Sequence, residues 1–593
     1  MKRTLYCLAL LLVTLPLAAL DIVKLSEVKT GMTGEGRTIF KGTRTETFRF
    51  KVLGVLEKFA PGKNLIIVEL DNPALNDGGI ISGMSGSPVY VDGRLLGSVS
   101  YGFAYSKKPI AGVTPIEDIL KTAEFASPNY SVEISNIKMD VSRESLKGIA
   151  DLLRRELVRR MSATPAPGLE PIRLLASTHG ITPEAASFLA PVFAPMGAGQ
   201  VVGELGKKSP AADLLTPLAA ADAVSIPLVR GDFEYSASGT VTCVDGQKAY
   251  IFGHPFFNVG TVEFPLHKAE VITVVPSFES PFKMVSTRQQ VGMVVQDRYS
   301  GVLAELGKAP KMIPMKVYVK NRGRNFNLEL INHPLLTPSL TYVALSNIFQ
   351  TEFQQFGFQA VGVNCRIFIE GEENVVIDDF YSGTTAYDDF ANLMMAVNYF
   401  LLNNRERTVR IQKIDVELNG METMRRTELE NVLINKASFL PGEPMELELQ
   451  MQNDRGQASS DKITLKAPNL PPGTEFYLMA ADAQEMVDFD TKVIKTAYFP
   501  AQLAPLIRAL NNLRRSNRIY FKLYMPTEGF FLRGYEYANP PKSMANVFVY
   551  GSQSRDQSDM LISTITEYQY EVPAAVSGKK VFRLKIKERK NES

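Results

Sequence analysis

The residues with the clearest capacity for chemistry lie in the run Gly79-Ile80-Ile81-Ser82-Gly83-Met84-Ser85-Gly86-Ser87-Pro88-Val89. A serine hydroxyl is a weak nucleophile; it needs a base, access, and donors aimed at the oxyanion it creates. Glycines on both sides of Ser85 permit a tight turn. With Gly83 two residues before Ser85, the two backbone N–H groups can point into one concavity, as an acyl-transfer oxyanion hole requires. An ordinary Gly/Ser-rich turn between strands would use the same residues, so the run must be weighed together with a base. The chain has four histidines, His179, His254, His267 and His333. His254 is the best placed. In Phe252-Gly253-His254-Pro255-Phe256-Phe257 it stands at a strand end, between Gly and Pro, among aromatic rings that would tune its basicity. A turn histidine bonded to backbone is the competing reading. For a carboxylate to orient the imidazole, Asp71 in Leu70-Asp71-Asn72-Pro73 closes a buried run. Asp77, Asp232 and Asp245 compete with it, and any of the four can instead cap its own loop.

The elements that must position these groups read mainly as strands. Phe48–Leu53 and Leu65–Leu70 have strand character, and Val89–Gly97 reads as a hairpin around Asp92-Gly93, a pair that favours a two-residue turn. Short strands at this spacing predict a small barrel. From Ser142 to Met161, Leu146, Ile149, Leu152, Leu153 and Leu157 form a helical stripe, followed by the linker composition of 163–168 and small residues up to Ala223. Strands resume near Gly231 and run to about Lys320. Helices are expected over Tyr342–Phe356 and Thr385–Asn404, the latter with Asp388 and Asp389 in its first turn, and paired strands over Ala360–Ile377. After about Arg407 the pattern is that of a β-sandwich, interrupted by a helix near Pro500–Arg514. The expected divisions are a signal segment 1–20, a Ser-bearing β lobe 21–130, a helical connector 131–228, a His-bearing β lobe 229–320, a mixed α/β domain 321–405 and a β-sandwich-like domain 406–593.

Length and composition set the outer limits. A chain of 593 residues exceeds one hydrophobic core. A formal net charge of +2, with both signs interspersed, gives no electrostatic basis for nucleic-acid binding. Lys2 and Arg3 precede the uncharged apolar stretch Leu5–Leu20, the pattern of an export signal, and it is shorter than the roughly 20 residues of a membrane span. No later stretch is long enough to span. An uncleaved anchor is the alternative. Of the three cysteines, Cys243 and Cys365 would remain after cleavage. They make neither a disulfide framework nor a metal site and read as buried thiols.

The segment Gly78–Leu120 resembles the SpoIVB-type serine peptidases, the stage IV sporulation protein B peptidase family. The resemblance rests on the Gly78-Gly79-Ile80 lead-in, the Gly83-Met84-Ser85-Gly86-Ser87-Pro88 core and the Asp92-Gly93 hairpin. The Gly239-Thr240-Val241-Thr242 strand followed by Phe252-Gly253-His254-Pro255 is similar to that family's histidine segment. The resemblance spans roughly Gly31–Pro314 and implies a trypsin-like double β-barrel with a Ser-His-Asp site. It places the nucleophile on Ser85, the base on His254 and, across a one-residue gap, the acid on Asp71. In the sporulation peptidase the histidine segment comes first; here Ser85 precedes His254, which implies permuted lobes. No PDZ segment, which that enzyme carries, is evident.

The reading is therefore an exported serine endopeptidase acting on envelope or secreted proteins, with the amides of Gly83 and Ser85 as oxyanion hole, no metal or organic cofactor, and no membrane span after signal cleavage. The alternative is a catalytically inactive peptidase fold that binds envelope partners through its C-terminal half. Mature protein is expected to begin near Asp21 and to lie outside the cytoplasmic membrane. N-terminal sequencing of native material checks this, and recovery of Met1 on membrane-bound protein would establish the anchor instead.

Overall fold

Alternating inward Phe48, Phe50 and Val52 against outward polar neighbours make a half-buried strand of residues 46–53, and the same logic repeats through the first lobe. Its strands are β1 (Thr33–Thr38), β2 (Glu46–Ala60), β3 (Lys63–Asp71), β4 (Pro88–Val91), β5 (Arg94–Phe103) and β6 (Ile110–Pro115). They close into a six-stranded antiparallel barrel in the order β1-β2-β3-β6-β5-β4. Asp92 (φ 51°) and Gly93 (φ 78°) form the expected tight turn between β4 and β5. In this computed structural model the described residues are 20–75, 79–103, 106–125, 148–149, 151–153, 155, 168–172, 175–185, 187–188, 201–202, 217–277, 281–353, 359–404, 406–491, 502–532, 535–541, 543 and 557–587. Residues 1–19 of the expected signal, most of the 142–161 helix, the 163–167 linker and Asp77 lie outside them. Where the 142–161 stretch is described, at 148–149, 151–153 and 155, it is helical.

Three short connector strands, β7 (Leu169–Pro171), β8 (Leu175–His179) and β9 (Val201–Val202), precede the second lobe. That lobe comprises β10 (Ala223–Gly231), β11 (Glu234–Asp245), β12 (Lys248–Ile251), β13 (Gly260–Val275), β14 (Phe282–Arg298) and β15 (Gly301–Leu306). It too closes into an antiparallel ring, β10-β11-β12-β15-β14-β13. Numbered one to six within each ring, both barrels have the order 1-2-3-6-5-4. The sequence shows no repeat at this level; the topology does. This is the double β-barrel expected of a trypsin-like fold.

The β13–β14 hairpin is longer than its barrel needs, and its far end reaches the first lobe. Val271 bridges Gly42, and Phe282 bridges Ser82. Apolar seams close the interface: Ile39 against Val271 and Val285, and Leu95, Ile116 and Ile119 against Cys243, Tyr250 and Leu303.

Beyond β15 the sheet continues through β16 (Ile313–Val319), β17 (Arg324–Leu330), β18 (Gln359–Ile369), β19 (Val375–Gly383) and β20 (Ile411–Met421), in the order β19-β18-β20-β16-β17, with β17 joined to β10. Helices Leu336–Glu352 and Ala386–Leu402 pack on it, and their buried residues share one core with the second barrel. The C-terminal sandwich pairs a sheet built on Arg426–Ile434, Pro444–Asn453, Ala458–Lys466 and Ala575–Ser577 with a second sheet that includes Glu475–Ala481, Arg518–Leu532 and Lys579–Ile586; Leu447, Leu449, Phe476 and Phe521 meet between them. The helix expected near 500–514 is Leu503–Asn511. It buries Leu503, Leu506, Ile507 and Leu510 against the barrel-side core rather than between the sandwich sheets. Cys243 and Cys365 are both buried free thiols. Among the described residues, no helix is long and apolar enough to cross a membrane. Since the sandwich core is separate, Phe521→Ala should cost the sandwich about 3–5 kcal/mol. In urea titrations its transition should move while that of the barrels, followed by near-UV signals of Phe and Tyr in other variants, stays in place.

Candidate active site

Ser85 and His254 occupy equivalent positions. Ser85 lies in the loop from the third to the fourth strand of the first barrel, and His254 in the third-to-fourth loop of the second. The two loops approach at Gly86 and Phe252, and strand β11 adds three hydrogen bonds to the Ser85 turn. The Thr240 N–H donates to the Ser85 carbonyl (2.9 Å), Thr240 Oγ1–H to the Gly83 carbonyl (2.9 Å), and Thr242 Oγ1–H to the Gly86 carbonyl (3.0 Å). Thr114 Oγ1–H donates to the Gly253 carbonyl (2.7 Å). Only glycine fits at position 86: φ is 93°, and a β-carbon would collide with the Thr240 carbonyl and stand 2.6 Å from the Phe252 nitrogen. Gly253, with φ 69°, faces the hydroxyls of Ser98 and Ser100 in the same way.

Within the Ser85 turn the amides of Met84, Gly86 and Ser87 are committed, to the carbonyls of Ile81, Val99 and Met84. Among the described residues, the amides of Gly83 and Ser85 make no hydrogen bond. Ser85 is 0 % exposed and His254 1 %. Ser85 Oγ and His254 Nε2 are both without a hydrogen-bond partner, so no direct bond joins them. The imidazole donates from Nδ1 to the Pro255 carbonyl (2.8 Å), which leaves the Nε2 lone pair free. Burial lowers its pKa to about 4, against smaller opposing pulls from the Pro255 and Ile172 backbone. The ring is neutral at ordinary pH. Tyr101 and Phe252 pack beside it, Phe252 in parallel stacking at 5.9 Å.

The carboxylates read from the sequence are elsewhere. Asp71 is exposed at the end of β3, opposite Arg49, and does not reach His254. Asp232 accepts the Asn327 N–H, and Asp245 sits exposed in the β11–β12 turn. The carboxylate that serves the histidine loop is Asp297, which the sequence reading missed. It lies at the end of β14, in the bend to β15, and is 0 % exposed. It accepts the N–H groups of Phe256 and Phe257 (both 2.7 Å) and of Val259 (3.3 Å), and so clamps the chain just after His254. Burial raises its pKa to about 6 despite these donors. Its one sequence signal is a lone Asp closing the apolar run Val291–Val295 before Ser300-Gly301. The other histidines have structural work: His267 contacts Arg230 and the Arg288 carbonyl, and His333 Nδ1 accepts N–H groups at the start of a helix. Among the described residues, no cluster of His, Cys, Asp and Glu could hold a metal.

At pH 8, Asp297→Asn should destabilise the second barrel by at least about 1.5–3 kcal/mol, since one carboxylate oxygen facing a buried N–H becomes an amide nitrogen. Asp71→Asn should stay within about 0.5 kcal/mol of the parent. Urea denaturation of the two variants checks the contrast.

No curated protein and no solved structure matches the chain. A family model does, over residues 14–117, and it is described as SpoIVB peptidase S55. The match contains the whole Ser85 turn and its hairpin and ends before His254 and Asp297. The Ser85-bearing segment thus belongs to the SpoIVB-type serine peptidase family.

Proposed function

We propose that this chain is a serine endopeptidase of exported or envelope proteins, working through an acyl-enzyme. The observation that carries the reading is that equivalent loops of two like barrels meet at Gly86 and Phe252, and that each loop holds a buried polar atom without a hydrogen-bond partner, Ser85 Oγ in one and the basic Nε2 of His254 in the other. Native proteins seldom leave such atoms unsatisfied without a use for them. Ser85 Oγ attacks the scissile carbonyl while its proton passes to His254 Nε2. The amides of Gly83 and Ser85 receive the oxyanion, and the imidazolium returns the proton to the leaving amine, giving the acyl-enzyme. Water then repeats the cycle and releases the acid. Asp297 takes over from Asp71 the part of holding the histidine, through backbone rather than through Nδ1. Ser85 Oγ and His254 Nε2 share no hydrogen bond in this structure, and catalytic hydrogen bonds often form only once substrate is bound. The basic and apolar pattern of residues 2–20 supports action outside the cytoplasmic membrane.

One observation favours the second reading, a peptidase fold kept for binding: Ser85 is fully buried, so substrate enters only if the turn opens. A fluorophosphonate probe separates the two. Wild-type protein should label on Ser85, located by peptide mass spectrometry, and Ser85→Ala and His254→Ala should each lose nearly all labelling and proteolysis, with the double variant little worse. Folded protein that neither labels nor cleaves would establish the binding reading. The acid limb of the labelling rate should fall near pH 4, where His254 protonates, rather than near 6.5. The sign for stability follows. A histidine whose folded pKa is depressed contributes fully above about 6.5 and loses that contribution as pH falls toward 4. His254→Ala should flatten the pH dependence of unfolding in this window.

A further inference from the structure

Lys283 lies on the β14 end that reaches across to the first lobe, and it is 1 % exposed. Its N–H donates to the Ser82 carbonyl (3.1 Å), and the Ser82 N–H donates to the Pro281 carbonyl (2.8 Å). Its methylenes run alongside Gly83, where a β-carbon would lie 3.4 to 3.6 Å from Cδ, Cβ and Cγ. Its Nζ donates to Thr38 Oγ1 at 2.8 Å, and Ser87 Oγ–H donates to the same oxygen at 3.0 Å. Lys283 therefore holds the turn at residue 82 through its backbone and at residue 87 through Thr38, with Ser85 between the two attachments. Thr38 and Ser87 are themselves fully buried.

We propose that Lys283 is a positioning residue for the Ser85 turn, bracing it at both ends through the Lys283–Thr38–Ser87 chain; the inference rests on the peptidase reading above. An amine is an expensive way to fill this space. Among the described residues Lys283 forms no ion pair, and the described groups around it (Thr38, Gly83, Ser87 and its register partner Val274 on β13) are all uncharged. Burial alone lowers its pKa to about 7. A methionine would pack in the same volume without desolvating a charge. What the amine adds is a lone pair. In the neutral state Thr38 can donate its hydroxyl proton to the Nζ lone pair while accepting from Ser87, so both hydroxyl protons in the chain have an acceptor. In the protonated state Nζ donates to Thr38, and the Thr38 proton loses that acceptor. The braced turn is thus favoured above about pH 7 and loosened below it, a step well separated from the His254 limb near pH 4.

The test uses the full-length chain with Lys283→Met, Thr38→Val and the conservative Thr38→Ser. Two quantities are read: fluorophosphonate labelling rate against pH, and hydrogen exchange at the Gly86 and Ser87 amides. Lys283→Met and Thr38→Val should slow labelling at pH 8 by about ten- to a hundredfold, the cost of a small misplacement. They should also remove the step near pH 7 and speed exchange in the turn, while Thr38→Ser keeps wild-type behaviour and Lys283→Met melts no lower than the parent. A Lys283→Met protein that labels at the wild-type rate, or that keeps the step near pH 7, overturns the proposal. If wild-type protein does not label at all, the peptidase reading fails by itself. The brace is then judged on exchange alone: faster exchange in Lys283→Met supports it, and unchanged exchange overturns it.

Discussion

The contact on which the arrangement depends is backbone against backbone, where the Ser85 turn meets the strand end that leads to His254. Gly86 lies so close to Thr240 and Phe252 that no side chain fits there. Three hydrogen bonds from Thr240 and Thr242 fix the approach without any long, mobile side chain. Register in this contact is set by three peptide carbonyls of the turn, met by one peptide N–H and two threonine hydroxyls. A shift of one residue would leave the Ser85, Gly83 and Gly86 carbonyls buried and unpaired, at about 1–3 kcal/mol each. The apolar seams of Ile39, Leu95 and Tyr250 supply the attraction between lobes, and the peptide contacts decide where the lobes stop.

Around this contact the protein buries groups that ordinarily stay in water. His254, Asp297 and Lys283 are all desolvated, and in each desolvation is the largest influence on the pKa. The directions differ as charge type requires: the two bases fall and the acid rises. The result is a neutral imidazole and an amine poised near neutrality. The carboxylate is held ready for its N–H donors. Among the described residues none of the three has an ion-pair partner, and the cost is offset by backbone hydrogen bonds for Asp297 and by a hydroxyl for Lys283. Perturbed groups gathered on one contact point to function more than to stability.

The sequence exposed what local chemistry encodes. The Ser85 turn, the Asp92-Gly93 hairpin and the Gly253-His254-Pro255 bend all depend on residues next to one another, and each was readable. The inward alternation of Phe48, Phe50 and Val52 gave the first barrel its strands. What stayed hidden depends on contacts distant in the chain. Asp297 meets Phe257 across 40 positions, and Lys283 meets Thr38 across 245. Asp71 is a sequence candidate because it ends a buried strand near Ser85, yet it is exposed at that strand's last pair, opposite Arg49. A strand end determines only that a carboxylate can leave the sheet; which neighbour it meets is set by the packing of the other lobe.

The same reasoning bears on the rest of the chain. The second barrel does not end at its sixth strand in energetic terms. Its β10 pairs with β17 through Val229 and Leu330, and Leu228, Val229 and Leu330 belong to a core that continues into both long helices. Cutting after β15 would expose an unpaired sheet edge and the apolar face that the helices cover. β20 returns from beyond the second helix to run parallel to β16, which ties residues up to 421 to the barrel. The Asp297 clamp sits on this sheet, two strands from β10. Phe252, Phe256 and Phe257, which flank His254, lie in the one core that these helices share, whereas the sandwich has a core of its own.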